Sequence, residues 1–327
     1  MSDLALALFA SETEAHLVRP PCGERWLAFL RGFDERARLD GLESSGFRFL
    51  ARSAAAFPPL LRSIHDPPPG LFLRGNGDPE LLARPSVAIV GARTCSGYGA
   101  SVARGLGREL AAAGLVVLSG LARGVDAEAH RGALDVGGTT VAVLGCGIDR
   151  DYPAAHADLA RRIAASGLVV SEYAPGVEPA PWRFPARNRI LAGLSGATVV
   201  VEARERSGAL ITADLALEEG RDVFAVPGEI SSSLSAGSNA LLKLGAAPLT
   251  SAADVLAAFG MESDRPLCTD PKGVAGRVLE LVREAPAGAD ELARSAGLDA
   301  GELARVLVGL ELDGLVSSSD GLYRPIS

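Results

Sequence analysis

From Ser86 to Gly228 the chain repeats one pattern, a short run of β-branched and aliphatic residues followed by a longer helical stretch. The apolar runs read SVAIVG, LVVLSG, TTVAVLG, GLVVSE, ATVVVEA and DVFAVPG. Strands that are apolar throughout must be covered on both faces, and helical crossovers between them make neighbouring strands parallel. The sequence therefore predicts an α/β fold, an extended Rossmann-like doubly wound sheet that is mainly parallel.

The segments on either side of this pattern lack the alternation. Residues 1–65 read as short helices and predict a small helical, SAM-like N-terminal module. Residues 66–260 hold the Rossmann-like domain, with one short extended piece at 71–74 near its start. Residues 261–272 resemble a linker, and residues 273–327 read as three helices and a β-hairpin. That last pattern is typical of a winged helix, a variant of the helix-turn-helix.

Composition excludes several classes of protein. The apolar fraction of 48% is ordinary for a globular protein, and no apolar run approaches the roughly 18 residues that a membrane span needs. The N-terminus has no basic region ahead of its apolar stretch, so we expect a cytoplasmic protein. The 4 cysteines form no CxxC pair and the 4 histidines no HExxH spacing, so neither disulfides nor a metal site is expected.

The net charge of −8 argues weakly against a nucleic-acid partner, but the excess is unevenly distributed. Residues 261–327 alone carry 7 basic and 12 acidic side chains. The third helix of the predicted winged helix would normally read DNA, and phosphate would repel it here. Its charged residues are Asp299, Glu302, Arg305, Glu311 and Asp313. We therefore expect protein interaction or packing from this module, with transcriptional regulation as the alternative.

The loops that follow the predicted strands are rich in Gly, Ser and Arg. They read GARTCSGYG, SGLARGVD, GCGIDRDYP, SEYAPG, VEARERSG and PGE. Ligands of open parallel sheets bind beyond the carboxyl ends of the strands, and loops of this composition let backbone amides approach an anion. Arg93 adds a guanidinium group whose geometry suits phosphate.

These loops do not carry the signatures of a nucleotide enzyme. There is no GxGxxG and no P-loop, and the second strand ends in Ser119 where a dinucleotide site would supply an acid. Glu202, Asp126 and Asp149 could be drawn together as a hydrolase site, but no nucleophile elbow or carboxylate spacing supports it. Asp126 is more simply a helix cap, and His130 a packed core histidine. No catalytic residue and no cofactor are expected.

The segment WRFPARNRILAGLSGA, residues 182–197, concentrates arginines beside a predicted helix. Pro181 and Pro185 keep the start extended, so the helix is expected to begin near Ala186, with Arg187–Arg189 in the first turn. Cations there oppose the helix macrodipole, which makes sense where an anion is bound. The alternative is that these arginines pair with Glu172 and Glu202.

At these residues the chain resembles the DNA-processing protein A family, also called DprA or Smf. The stretches that match run in order from about Asp66 to Gly260. They are VAIVGARTCSGYG, SGLARGVDAEAHRGAL, VAVLGCGIDRDYP, SEYAPG, FPARNRILAGLS, VVVEARERSGALITADLALEEGRDVFAVPG and GSNALLKLGA. The helical N-terminus and the winged-helix-like end also occur in that family, as an architectural likeness.

The resemblance implies a Rossmann-like domain that binds single-stranded DNA without sequence preference and forms homodimers. Members protect incoming single strands and deliver them to a RecA-type recombinase in natural transformation, and single-strand-binding protein is a further candidate partner. No enzymatic activity is implied. The alternative function is that of a nucleotide-binding Rossmannoid enzyme, similar to a phosphoribohydrolase.

The resemblance also implies the site. The family's phosphate pocket maps onto the loops after the strands, with Arg93 as its leading arginine. The predicted DNA-binding residues are Arg93, Ser96, Gly97, Tyr98, Gly120, Arg123, Gly124, Arg187, Asn188, Arg189 and Lys243. Which of the arginines of segment 182–197 contact phosphate, and which brace the pocket, stays open at this point.

One stretch departs from the family, and the aromatic residues add a second kind of contact. After its Tyr-Pro pair the family often has Lys and then Asn, where this chain has Ala154 and His156. The lysine contact is therefore in doubt unless Arg150 or Arg161 replaces it. Aromatic rings near the strand ends could stack on bases. The candidates are Tyr98, Tyr152, Tyr173 and Phe184.

Overall fold

The computed structural model describes residues 2–15, 17, 19–261, 271, 273–312, 315–319 and 321–325. The chain forms two compact units, Met1–Glu262 and Ser263–Ser327, and each is described by itself. No described helix is long and apolar enough to cross a membrane.

The first unit is a large sheet covered by helices. Its helices are α1 Asp3–Thr13, α2 Glu24–Arg31, α3 Glu35–Ser44, α4 Pro59–Arg62, α5 Gly97–Ala112, α6 Val125–Asp135, α7 Ala157–Ser166, α8 Arg183–Leu194, α9 Gly208–Glu218, α10 Ala236–Lys243 and α11 Ala252–Ala258. Its strands are β1 Phe47–Ala51, β2 Gly70–Arg74, β3 Ser86–Val90, β4 Val116–Ser119, β5 Thr140–Val143, β6 Leu168–Ser171, β7 Ala197–Val200, β8 Asp222–Ala225 and β9 Ala247–Pro248.

The strand order is β1-β2-β6-β5-β4-β3-β7-β8-β9. From β6 to β9 every neighbouring pair is parallel, whereas β1 and β2 add an antiparallel edge. The chain builds outward from β3 to β6 and then returns to the other side of β3 with β7. The predicted mainly parallel, doubly wound fold is confirmed, and its switch point lies between β3 and β7.

Helices bury both faces of the sheet, as the apolar strands require. On one face α4, α8 and α9 contribute Leu61, Leu191 and Ala213 to the core. On the other, α5 and α11 contribute Leu110 and Val255. Because every residue of β3 is buried, no strand face at the switch point is available for water, and only the loops at its ends can take a ligand.

The N-terminal segment differs from its prediction. Residues 47–51 form β1, which pairs with β2 at the edge of the large sheet, where the sequence suggested helices alone. Helix α1 packs on the sheet as well, since Leu4 and Ala7 share a core cluster with Phe72 and Leu144. Five residues are too few for the alternating pattern of a strand to be distinguished from the pattern of a short helix. The segment is a strand because it pairs with β2.

The second unit has the predicted three helices and hairpin. It consists of α12 Val274–Glu284, β10 Ala287–Gly288, α13 Ala289–Ala296, α14 Ala300–Leu312, β11 Val316–Ser319 and β12 Leu322–Pro325. The strands pair antiparallel in the order β10-β12-β11, over a core that includes Val278, Leu292 and Leu307. On α14, Glu302, Arg305 and Glu311 are exposed, whereas Asp313 lies outside the described residues. The role of this helix stays a prediction.

Candidate nucleic-acid interface

The topology brings three of the predicted loops to one edge of the sheet. Val90 at the end of β3 pairs with Val200 at the end of β7, and Ala88 pairs with Leu118 of β4 on the other side. The loops that follow these three strands, 91–96, 201–207 and 120–124, are therefore neighbours at the switch point. Ligands of doubly wound sheets bind in this position.

The turn over residues 120–124 is held in an unusual conformation. Leu121 has a φ of 58° and Gly124 a φ of 73°, a left-handed region that only glycine adopts without strain. A side chain at Gly124 would overlap the carbonyl of Ala92. Asp126 was expected to cap α6, but its carboxylate instead accepts from the backbone N–H of Gly120 at 3.0 Å and of Ala122 at 3.3 Å. The carboxylate thus fixes the turn in front of the helix.

Arg187 lies beneath this turn. Its Nη1 donates to the carbonyl oxygens of Gly120, at 3.0 Å, and of Val143, and its Nε donates to Asn188 Oδ1 at 3.3 Å. The residue is 5% exposed. Burial lowers the pKa of Arg187 to about 10, and the charge of Asp126 opposes that shift. Burial also shifts the pKa of Asp126, in this case upward, and the charge of Arg187 opposes that shift.

The sequence left open whether Arg187 contacts phosphate or braces the pocket, and this geometry favours the bracing role. The guanidinium group already donates to protein carbonyls and is covered by protein. A side chain at Gly120 would overlap the guanidinium group, so the glycine is needed for the arginine to fit. Arg187 braces the turn from inside, and the surface of the turn belongs to other residues.

The neighbouring residues of the segment are also internal. Arg183 donates to the carbonyl of Glu178 and, at 3.0 Å, to Glu14. Arg189 pairs with Glu172 and, at 3.3 Å, with Asp66. These residues are buried. Carboxylates of the protein thus neutralise the arginines for which the sequence pattern suggested an external anion. The alternative interpretation, a pairing with Glu172, is confirmed for Arg189.

Helix α8 also begins three residues earlier than predicted, at Arg183. Pro185 therefore sits inside the first turn, where a missing N–H leaves no intrahelical bond unmade. Asn188 is buried and its amide donates to the carbonyl of Gly208 at 3.1 Å. The predicted DNA contact of Asn188 does not fit this position, because the amide joins α8 to the start of α9.

A carboxylate of the protein occupies the N-terminus of α5. Buried Glu202, just beyond β7, accepts from Ser96 N at 2.9 Å and from Ser96 Oγ at 2.5 Å. A side chain at Gly99 would overlap that carboxylate. The sequence suggested an arginine partner for Glu202 and a phosphate contact for Ser96. Both expectations are corrected, since the two donors of Ser96 face Glu202 at the position where a bound anion would interact with the helix.

Several predicted residues do face solvent. Arg93, Gly97 and Arg123 are exposed on the loops at this edge, as is Tyr98, whose hydroxyl donates to the carbonyl of Pro227 at 3.2 Å. Lys243 is exposed at the end of α10. Burial and then the charge of Glu202 raise the pKa of Tyr98. The surface thus presents exposed cations and an exposed aromatic ring on the loops at this edge.

Two aromatic rings lie beside Arg93. The guanidinium carbon of Arg93 lies 5.3 Å from the centre of the Phe184 ring, and that ring lies 5.3 Å from the ring of Tyr152. Sequence reasoning missed two further exposed arginines, Arg204 and Arg206, in the loop after β7. The signal that could have found them is the position of VEARERSG at the carboxyl end of a strand beside the switch point.

The departure from the family's Tyr-Pro-Lys pattern also has a structural role. His156 is buried and donates from Nδ1 to the carbonyl of Leu121 at 2.9 Å, so it supports the same turn as Arg187 and Asp126. Arg150 pairs with Glu178 at 2.7 Å, and Arg161 pairs with Asp158. Replacement of the lysine contact by either arginine stays a prediction.

Comparison with known proteins finds relatives along most of the chain. Residues 48–260 match the family described as DNA recombination-mediator protein A, and residues 262–321 match the DprA winged helix domain. The chain is 50% identical over 207 residues to DNA processing protein DprA of Streptococcus pneumoniae, covering 62% of this chain and 71% of that protein. It is 38% identical over 314 residues to Protein Smf of Escherichia coli, covering 92% and 83%.

Solved structures agree with this. DNA processing protein A from Streptococcus pneumoniae superposes with a TM-score of 0.67 at 39% identity, covering 78% of this chain and 92% of that one. DNA processing protein A from Helicobacter pylori, whose structure concerns its single-stranded DNA binding mode, gives 0.58 at 32% identity, covering 65% and 95%. The chain belongs to the DNA recombination-mediator protein A family, whose members are also named DprA or Smf.

Proposed function

We propose that this protein binds single-stranded DNA without sequence preference along the carboxyl edge of its sheet. The observation that carries the proposal is the row of exposed cations and rings on the loops at the switch point, among them Arg93, Arg123 and Tyr98. Proteins that bind single strands combine a cationic groove that follows the phosphates with aromatic rings on which bases stack. The relative from Helicobacter pylori binds single-stranded DNA.

Within this interface the residues divide by their exposure. Exposed Arg93, Arg123 and Lys243 are the proposed phosphate contacts, with Gly97 and the turn 120–124 offering close approach to backbone. Tyr98 and Tyr152 are each about two-fifths exposed and are the proposed stacking residues. The buried Arg187–Arg189 segment, and Ser96 with its partner Glu202, hold the loops in place and act on DNA only through them.

The later steps of the proposal rest on family membership. We propose that the protein works as a homodimer in the cytoplasm, that it protects incoming single strands, and that it loads a RecA-type recombinase on them in natural transformation. Single-strand-binding protein is a further proposed partner. The segment boundaries predicted from the sequence are part of the same proposal, except that β1, within residues 1–65, belongs to the large sheet. A role of the winged helix in protein contacts is also proposed.

We propose no catalytic activity for the switch-point site. A phosphoribohydrolase-like enzyme would bind a nucleotide phosphate at a helix N-terminus facing the sheet edge. At α5 that position is filled by the Glu202 carboxylate, which accepts from both donors of Ser96, and a second carboxylate, Asp126, accepts from the turn before α6. Two fixed negative charges weigh against a nucleotide phosphate in this place.

Salt-titrated binding tests the proposal. Fluorescence anisotropy with labelled oligo(dT) and with a duplex of equal length should show tighter binding of the single strand. Each phosphate contact contributes about 0.7 to the slope of log affinity against log salt. Arg93→Ala should therefore lower both affinity and slope, and Arg93→Ala with Arg123→Ala should lower them further. Arg38→Ala, which removes an exposed arginine from α3, serves as the matched control.

Two results would contradict the proposed interface. One is an Arg93→Ala, Arg123→Ala protein that binds oligo(dT) with wild-type affinity and slope. The other is a loss of binding in Arg38→Ala equal to the loss in Arg93→Ala, since that would indicate general attraction to any cationic surface.

A further inference from the structure

A cleft opens between helix α1 and the start of α8, outside the row of loops described above. With the solvent at its mouth it measures about 460 Å³. One wall is the face of α1 that carries Ala7, Ala10 and Ser11, and the opposite wall carries Tyr173, Trp182 and Arg183. No residue of the proposed phosphate contacts lines it.

The α1 wall is flat and fixed. Ala7, Ala10 and Ser11 are spaced at i, i+3 and i+4, so they lie on one face of the helix, and none of them extends beyond one heavy atom from its Cβ. Ser11 Oγ accepts from the backbone N–H of Ala174 at 3.1 Å, which ties this face to the segment that follows β6. The wall therefore offers a smooth surface at a set distance from the aromatic residues opposite.

The opposite wall includes a partly exposed tryptophan. Trp182 is 47% exposed, and the guanidinium carbon of Arg183 lies 4.8 Å from the centre of its ring. The same guanidinium carbon lies 5.4 Å from the centre of the Tyr173 ring. Arg183 is buried, and within the described part of the chain its Nε has no hydrogen-bond partner. A fixed cation on one side of the indole thus leaves the rest of the ring open to a ligand.

These walls suit a flat heterocycle with polar edges. Aromatic rings and guanidinium planes are the surfaces on which unstacked bases lie, and carboxylate oxygens accept from the amino groups of base edges. Glu14 is exposed and lines the cleft; its Oε1 pairs with Arg183, so Oε2 is the oxygen not engaged in that pair. Without a ligand, the exposed tryptophan and the small side chains of the α1 wall would leave a large apolar surface in water.

The cleft is also close in the chain to the proposed phosphate contacts. Trp182, Arg183 and Phe184 are consecutive at the start of α8. Arg183 lines the cleft, whereas the Phe184 ring lies 5.3 Å from the guanidinium carbon of Arg93. A strand whose phosphates contact Arg93 thus lies beside Phe184 at the start of α8, two residues along the chain from Trp182.

We propose that this cleft receives one unstacked base of the bound single strand, stacked on Trp182. The inference rests on the proposed function, since it needs a strand held at the neighbouring edge. It adds a base contact that does not involve phosphate, and so predicts a binding contribution that salt does not weaken.

The experiment uses Trp182 as its own reporter. The chain has 2 tryptophans, and Trp26→Phe leaves Trp182 alone while keeping an aromatic ring beside Phe9 and Phe29. Oligo(dT) should quench the fluorescence of Trp182. An abasic oligomer of equal length, which has the same phosphates and no bases, should bind more weakly and leave the fluorescence unchanged.

Substitution separates stacking from charge. Trp182→Ala should weaken oligo(dT) binding about 5- to 100-fold, the range that corresponds to loss of one stacked base, with the salt slope unchanged. Trp182→Phe should restore most of the affinity. Arg93→Ala should instead lower the salt slope and leave quenching at saturating oligo(dT) intact. Urea midpoints of all variants check that the fold is retained.

The outcomes distinguish this inference from the function on which it rests. Wild-type affinity in Trp182→Ala, or equal quenching by the abasic oligomer, overturns the cleft proposal while oligo(dT) binding itself still supports the function. Quenching by dTMP alone at the base concentration that suffices for oligo(dT) overturns the claim that a strand delivers the base. If anisotropy detects no oligo(dT) binding by the wild-type protein, the proposed function fails and the cleft proposal fails with it.

Discussion

Arg187 lies in an arginine-rich stretch, which by itself suggests a contact with DNA. Because the side chain is buried, however, replacing it with alanine should destabilise the fold. Its guanidinium group is the donor for the carbonyls of Gly120 and Val143, and it is the positive charge that opposes the buried Asp126. Alanine would leave both carbonyls without this donor and the carboxylate without its cation. The turn 120–124 would then lose its support from inside.

The expected loss follows from the burial of this group. Leaving a buried polar group without its hydrogen-bond partner costs about 1–3 kcal/mol. Arg187→Ala would remove the donor of two buried carbonyls and a positive charge that acts on the buried Asp126, so we expect a loss of several kcal/mol. The total free energy of unfolding is only about 5–15 kcal/mol for most domains, so the change should be large. Arg93→Ala removes an exposed side chain and should alter stability by no more than about 0.5 kcal/mol.

A double-mutant cycle isolates the pair. Asp126→Asn removes the charge that Arg187→Ala would strand while it keeps an acceptor for the backbone of Gly120. The double variant should therefore be less destabilised than the sum of the single variants, by about 1–3 kcal/mol for residues in one network. Additive losses would mean that Arg187 and Asp126 do not interact across the turn.

Urea unfolding followed by tryptophan fluorescence is the assay. Trp26 and Trp182 both lie in the first compact unit, so the signal reports that unit. The reasoning is refuted if Arg187→Ala keeps wild-type stability within about 0.5 kcal/mol while its salt slope for oligo(dT) falls as far as that of Arg93→Ala. That pair of results would place Arg187 on the phosphate backbone.

Two further substitutions test other buried groups. His130 is fully buried and donates from Nδ1 to Thr140 Oγ1 at 2.7 Å, since that hydroxyl itself donates to Val117. Burial lowers the pKa of His130 from 6.5 to about 3, so the unfolded chain binds more protons between these values and stability falls as the pH drops. The free energy of unfolding lost between pH 7 and pH 5 should therefore be smaller in His130→Gln, by about 2 kcal/mol, and an equal pH dependence in both proteins would contradict this. Glu202→Gln should destabilise the protein by about 1–3 kcal/mol, because an amide cannot accept from both donors of Ser96 as the carboxylate does. The same substitution should lower the pKa of the Cys95 thiol, which is raised by burial and then by the charge of Glu202. Urea unfolding and the alkylation rate of Cys95, followed by peptide mass spectrometry, measure the two effects, and an unchanged rate would argue against the placement of Glu202.

The fold could largely be predicted because its main signal is local. Six apolar runs predicted strands β3 to β8, each with helical residues between them, and each strand is present. The edge strand β1 was missed because five residues with one exposed arginine do not differ enough from a short amphipathic helix. The strand order could not be read from periodicity either, since it depends on which side of β3 the chain takes after β6.

The site was predicted in position but not in its internal arrangement. Residues in loops after strands, such as Arg93 and Arg123, are exposed where the rule for parallel sheets expects ligands. Whether Arg187 contacts phosphate or braces the pocket could not be decided from the sequence, because its partners, Gly120 and Val143, lie 67 and 44 positions away in the chain. A sequence displays the charge of an arginine but not the carbonyls that its fold brings within reach, and the macrodipole argument assumed that the compensating anion came from outside.

At two places beside the switch point, charged groups of the protein neutralise one another or a helix terminus. These two places bear on which ligand the sheet edge can bind. The N-terminus of α5 faces Glu202, and the turn before α6 faces Asp126 with Arg187 beneath it. The two positions at which a Rossmann-like sheet would hold a nucleotide phosphate are thus occupied by fixed carboxylates. The cations left at the surface, Arg93 and Arg123, stand on two loops that are in contact, since a side chain at Gly124 would overlap the backbone of Ala92 and Arg93, and Asp126 and Arg187 fix the turn 120–124 from within. We infer that internal neutralisation leaves these exposed cations for a DNA backbone and disfavours a nucleotide phosphate at the helix N-termini.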